Sequence, residues 1–265
     1  MNLKGCCSLK TLPESFGNVK SLETMNIYGC SQLEKLPEGM GDMKFLTELL
    51  ADGIRTEQFL FSIGQLKYVK RLSLRGCSLA PPICSLISAG VSNLKRWLST
   101  SFTQWRLVKY LKLSNGGLSD RATNCVDFRG MFSLEVLDLS ENKFSSLPSG
   151  IGFLPKLRCL VVKTCEYLVS IQDLPSSLCL LDASYCELLE RVRIPIESKE
   201  ELCVNIYESF SLEEIQGIEG LNNSFWNVSV EGRSYSPNKL QKSVVEVLFL
   251  SVSCTKRNTH NWHIH

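Results

Sequence analysis

The residues with the most chemical potential are twelve cysteines and three histidines, which as thiolate and imidazole could supply a nucleophile with its base, or a zinc site. Their spacing argues against both. A nucleophilic Cys or Ser needs a base within hydrogen-bond reach, yet His260, His263 and His265 all fall in the last six residues, and no two cysteines stand as CxxC. The histidines read as a frayed tail rather than a ligand set. The adjacent carboxylates Glu213 and Glu214 read as solvated side chains, and no GxxxxGK[ST] phosphate loop occurs. No catalytic residue, cofactor or metal is expected. Five of the cysteines, Cys6, Cys30, Cys77, Cys165 and Cys186, instead sit in the same local phrase, so the element that positions them must itself recur.

Self-comparison finds that element. Leu3, Cys6, Leu9, Leu12, Pro13, Phe16, Val19 and Leu22 are matched 24 positions on by Ile27, Cys30, Leu33, Leu36, Pro37, Met40, Met43 and Leu46. The same LxxLxLxxC frame returns around Leu49, Leu72, Leu111, Leu137, Leu160 and Leu181. Alternating apolar residues within LxL have the period of a short strand with one face inward, and successive coils pair these strands into a parallel sheet. The Leu-Pro phrases with spaced apolar residues behind them suit an irregular or one-turn helical return. The fold class is thus α/β, a leucine-rich-repeat solenoid: a curved horseshoe with a parallel sheet on its concave face. About eight repeats span 1–193, with a longer irregular insertion near 78–107, and 194–265 reads as a short, partial β-rich appendage and a tail. At the slot position Asn142 is expected to donate to buried carbonyls of the bend, while the five cysteines act as small apolar residues whose thiol pKa burial raises.

Composition bounds the rest. With 29 Lys+Arg against 27 Asp+Glu the net charge is +2, giving no electrostatic ground for nucleic acid or an anionic membrane as partner. The longest late apolar run, Val244 to Val252, is far short of the ~20 residues of a membrane helix and reads as a buried strand. No basic stretch followed by an apolar run opens the chain. The thiols read as reduced and the compartment as intracellular, which leaves the NxS matches at Asn222 and Asn227 idle. Met1 stands directly inside a repeat with no polar cap before it, so a fragment or truncated product is expected.

On such a wall the residues between the ladder leucines point outward. The expected partner-binding residues are Tyr28, Asp52, Arg71, Arg75, Tyr110, Lys112, Asp138, Lys163 and Asp182, with Tyr28, Arg71, Arg75 and Tyr110 preferred because Tyr and Arg most often supply binding energy. Outward Leu50, Val136, Val161 and Leu180 suggest that part of the wall is covered. Trp97 and Trp105, in the long return, either pack inside it or dock a neighbour.

The wording of the repeats carries a resemblance. NLKGCCSLKTLPESFG, IYGCSQLEKLPEGMGDM, LTELLADG, KRLSLRGC, LEVLDLSENKFSSLPSGIGFLPKL and LPSSLCLLDASYCELLERV resemble the C-terminal repeats of plant intracellular nucleotide-binding leucine-rich-repeat immune receptors of the TIR class, in the group of tobacco mosaic virus resistance protein N. The resemblance runs from Met1 to about Trp226. It implies a cytoplasmic or nucleocytoplasmic sensor whose repeats recognise a pathogen effector or a guarded host protein, and restrain the receptor's nucleotide-binding domain at rest. Members carry a TIR and a nucleotide-binding domain that this sequence does not contain. After EIQGIEGLNNSFWNV the family's post-repeat β-domain should continue, whereas here the sequence ends in KRNTHNWHIH, so the resemblance lends the appendage no recognition role. A free-standing repeat scaffold for protein partners is the other reading.

Overall fold

The first Leu of each LxL, with the residue on either side of it, makes one short strand whose centre faces inward and whose two neighbours face out. The computed structural model describes residues 1–54, 59, 62–77, 104–123, 126–195, 202–217 and, as backbone, 226–229. In chain order the strands are β1 (Thr24–Asn26), β2 (Glu48–Leu50), β3 (Arg71–Ser73), β4 (Tyr110–Lys112), β5 (Val136–Asp138), β6 (Cys159–Val161), β7 (Ser170–Ile171), β8 (Leu180–Asp182), β9 (Arg191–Arg193), β10 (Leu202–Asn205), β11 (Glu214–Gln216) and β12 (Trp226–Ser229). Nine of them form one parallel sheet in the order β1-β2-β3-β4-β5-β6-β8-β10-β12. The register never slips: Thr24 faces Glu48, Glu48 faces Arg71, Arg71 faces Tyr110, and the column continues through Val136, Cys159, Leu180 and Cys203.

The inward column is Met25, Leu49, Leu72, Leu111, Leu137, Leu160, Leu181 and Val204, all fully buried and part of one continuous apolar core. A single coil exposes both sides of its ladder, so each depends on its neighbours for burial, and a buried Leu is worth about 1.5–3 kcal/mol to that shared interior. The returns match expectation where Leu-Pro precedes them: Glu14–Asn18 and Glu38–Asp42 are single 3-10 turns, each entered from a proline. These turns stack so closely that a Cβ on Gly17 would lie 2.6 Å from the Gly39 Cα, which only glycine permits.

Two features differ from the sequence reading, and a third decides between two alternatives that it left open. First, the last returns are extended rather than helical, and β7, β9 and β11 pair into a second parallel sheet behind the first. Second, the ladder does not stop at 193. Strand β10 pairs with β8 on one side and β12 on the other, so the described part of the expected appendage continues the solenoid. Third, Trp105 is core: it is 2% exposed, and its indole Nε1 donates to the Ile63 carbonyl at 3.3 Å. Trp97, most of the 78–107 insertion, the run Val244 to Val252 and the histidines lie outside the described residues. The insertion leaves the wall continuous, since β3 and β4 on either side of it are direct neighbours.

Candidate functional site

The slot residues fix the edge where each strand turns away from the wall. Past the first coil, wherever the slot holds Cys or Asn its side chain donates to the carbonyl of the last ladder residue of the coil before, while Ile54 and Gly116 fill the slot in two coils without a side-chain donor. Cys30 Sγ reaches Leu3 O at 3.2 Å, Cys77 reaches Ala51 at 3.2 Å, Cys165 reaches Leu139 at 3.5 Å and Cys186 reaches Val162 at 3.1 Å. Asn142 does the same to Leu113 at 3.0 Å and adds a bond to Leu139 O at 2.8 Å, while its Oδ1 accepts from the amides of Gly116 and Leu118. Burial pushes the thiols of Cys165 and Cys186 up to about 12 and about 11 and raises that of Cys30. A thiol held protonated is a poor nucleophile and a poor metal ligand.

One residue before the slot, every coil turns through positive φ. Glycine holds this place in the first four coils (Gly5, Gly29, Gly53, Gly76), and Asn115, Glu141, Thr164, Tyr185 and Glu208 hold it afterwards. The later coils therefore carry side chains where the backbone favours glycine.

On the wall itself, the expected contact residues fall into two groups. Asp52, Asp138 and Asp182 are engaged within the wall. Asp52 accepts from the Ser73 hydroxyl and from the Arg75 amide at 2.9 Å. Asp138 accepts from the Ser140 amide at 3.0 Å, and Asp182 accepts from the Ser184 hydroxyl at 2.7 Å. Both are buried. The cations lean on these anchors: Lys163 Nζ lies 2.9 Å from Asp182 and Lys112 Nζ lies 3.8 Å from Asp138. Arg71 is bound on two sides, 3.2 Å from Glu48 and stacked 4.6 Å above the Tyr110 ring. Arg75 reaches across the coil of Ser114 to Glu141 at 2.8 Å. Tyr28 is exposed, with the Lys4 ammonium 5.1 Å from its ring centre. Single surface pairs add little stability, but chained from coil to coil they hold long side chains in one arrangement, which lowers the entropy lost on binding.

The outermost column changes character along the sheet. Thr24, Glu48, Arg71 and Tyr110 are polar or amphipathic, whereas Val136, Cys159, Leu180 and Cys203 form a half-buried apolar strip. The Cys159 thiol is pushed up to about 12 by desolvation and by the carboxylates of Asp182 and Asp138. Sequence reading missed the contribution of Cys203 and Asn205 on β10 and of Tyr207 just past it. The alternation Leu202, Val204, Ile206 with Ser209 in the slot was the available signal, and the Ser209 hydroxyl indeed donates to Ala183 O at 3.2 Å. Among the described residues no three His, Cys, Asp or Glu side chains converge on a point that could hold a metal, and no helix is long and apolar enough to cross a membrane.

A stacked ladder, a conserved turn geometry in every coil and an open polar wall define a leucine-rich-repeat protein, and a family model described as Leucine Rich Repeat matches residues 133–154. The curated relatives are more specific. Disease resistance protein RPS4B of Arabidopsis thaliana is 28% identical over 74% of this chain and 16% of its own length. TMV resistance protein N of Nicotiana glutinosa is 32% identical over 67% of this chain and 18% of its own. The homologues of this chain, over about 70% of its length, are thus plant disease resistance proteins of the TIR nucleotide-binding leucine-rich-repeat class. The chain spans less than a fifth of the length of these two relatives. Among solved structures, the leucine-rich repeat domain of the type III effector XopL covers 83% of this chain with a TM-score of 0.48 and 17% identity.

Proposed function

We propose that this chain is the protein-recognition module of a plant immune receptor, binding a pathogen effector or a guarded host protein on its concave wall and restraining the receptor's nucleotide-binding domain at rest. The carrying observation is the preorganised wall, where Arg71, Lys112 and Lys163 are each held by a carboxylate on a neighbouring coil and Arg75 by one two coils on. In this reading Tyr28, Arg71, Arg75, Tyr110, Lys112 and Lys163 touch the partner, while Asp52, Asp138 and Asp182 position them. The apolar strip of Val136, Cys159 and Leu180 supplies the area that loses water. The module acts in the cytoplasm or nucleus, catalyses nothing itself, and needs neither cofactor, nucleic acid nor membrane.

The test has two parts. Genomic sequence upstream should encode, in the same reading frame, a nucleotide-binding domain with a phosphate loop, and that domain should co-purify with this chain. An upstream region without such a frame, or a domain that does not associate, overturns the receptor reading and leaves a free-standing scaffold for protein partners.

A further inference from the structure

The rim where the last coils leave the wall carries a second surface that the concave face does not include. Tyr167 and Leu188 occupy the same place, two residues past the slots Cys165 and Cys186, in turns of identical hydrogen bonding: Leu168 N donates to Cys165 O at 3.0 Å and Leu189 N to Cys186 O at 3.1 Å. Both side chains are about half exposed, as are Tyr185 and Phe210 on the same rim. Tyr185 packs edge-on against Tyr207 of the next coil, with ring centres 5.4 Å apart, which fixes its ring without covering it. It also sits at the positive-φ position that the first four coils give to glycine. An aromatic side chain there gains little burial, so packing alone does not account for it. Scattered exposed apolar residues are ordinary, but these four fall within two residues of the slots of three successive coils.

The positions flanking the slots of these three coils carry carboxylates, while Lys143 holds the corresponding place one coil earlier. Glu166, Glu187 and Glu208 follow or precede the same slots, one per coil, and none makes an ion pair with a cation of the described residues. Lys163, the nearest cation in sequence, is already engaged by Asp182. Tyrosine faces alternating with carboxylates are the surroundings that arginine and lysine side chains fit, the cation over a ring and its hydrogen bonds to a carboxylate. The wall shows the same chemistry internally, where Arg71 lies between Glu48 and Tyr110.

We propose that this rim docks a basic, arginine-bearing segment of a partner protein, separately from the concave wall. The test is fluorescence anisotropy of the full chain with a labelled peptide of five Arg-Gly repeats, and with its Glu-Gly counterpart. The Arg-Gly peptide should bind, and Glu166→Lys/Glu187→Lys or Tyr167→Ser/Leu188→Ser should each weaken it at least tenfold. Glu38→Lys/Glu213→Lys, the same charge change placed off the rim, should alter affinity less than threefold. Circular dichroism confirms that every variant is folded. Absent binding, equal loss in the off-rim variant, or equal binding of the Glu-Gly peptide would overturn the proposal. So would concentration-dependent self-association that the rim variants abolish, since the occupant would then be a second copy, or a tenfold gain in affinity on deleting residues 231–265, since it would then be the chain's own tail.

Discussion

Replacing Asn142 with leucine should be the most damaging single change in the turn edge, and its size can be worked from the bonds it removes. Asn142 is fully buried; its Oδ1 accepts from the Gly116 and Leu118 amides, and its Nδ2 donates to the carbonyls of Leu113 and Leu139. Leucine is nearly isosteric, so no cavity opens, but the Gly116 and Leu118 amides and the Leu113 carbonyl are left buried without a partner, while the Leu139 carbonyl keeps only the Cys165 thiol. At about 1 kcal/mol for each of the stranded groups, the low end for such a group, the loss is about 3 kcal/mol. Asn142→Cys restores what the other slots have, a thiol donating to the coil before, and still strands the two amides, so it should cost about 2–3 kcal/mol. Cys165→Ala removes one long sulfur bond and a small volume, and should cost about 1 kcal/mol. The assay is urea unfolding followed by circular dichroism, with hydrogen exchange at the Gly116 and Leu118 amides as the local readout. If Asn142→Leu stays within 1 kcal/mol of the parent, or those two amides exchange no faster, the slot residue does not hold the turns.

Four further outcomes follow from particular residues. Thr164, β-branched at φ 54°, should gain about 0.5–1 kcal/mol on replacement by glycine, and Gly53→Ala at φ 80° should lose about 1 kcal/mol, both read from urea midpoints. The thiols of Cys159, Cys165 and Cys186 are raised when folded, so the folded chain keeps protons that the unfolded chain releases above its ordinary thiol pKa near 9. Stability should therefore be complete below pH 9 and fall between pH 9 and 12, and a stability that rises over that range would contradict the burial. In native labelling by iodoacetamide, exposed Cys6 and Cys7 should react well before buried Cys30, Cys77, Cys165 and Cys186. Trp105→Ala should cost about 3–5 kcal/mol, since it empties a core position and removes one of the two donors to the Ile63 carbonyl; a neutral effect in urea unfolding would place the indole at the surface instead.

How far the sequence could be read depended on whether a feature is local. The ladder, the register, the slot and the wall positions were legible, because one coil repeats the spacing of the next and parallel pairing without slip converts that spacing into columns. The coil at Leu202 to Ile206 was not recognised, since Pro195 and a charged stretch precede it and serine replaces cysteine in its slot. Partner identity within the wall was also out of reach. Arg75 and Glu141 are 66 residues apart, and nothing in either neighbourhood signals the pairing. That Asp138 and Asp182 are buried anchors follows from Lys112, Lys163 and Ser184 leaning over them, and this is visible only once the coils are stacked. Likewise the sequence left Trp105 either packed inside the long return or docking a neighbour, and its place in the core is visible only in the folded chain.

Isothermal titration of the nucleotide-binding domain that the proposed function requires upstream, against two charge-reversed forms of the chain, decides where binding takes place. Arg71→Glu/Arg75→Glu alters the wall, and Lys10→Glu/Lys143→Glu makes the same charge change away from it. Affinity should fall at least tenfold, about 1.4 kcal/mol or more, in the first pair and stay within threefold in the second. Equal losses in both, or a loss confined to the second, would mean that the concave face is not where the partner sits.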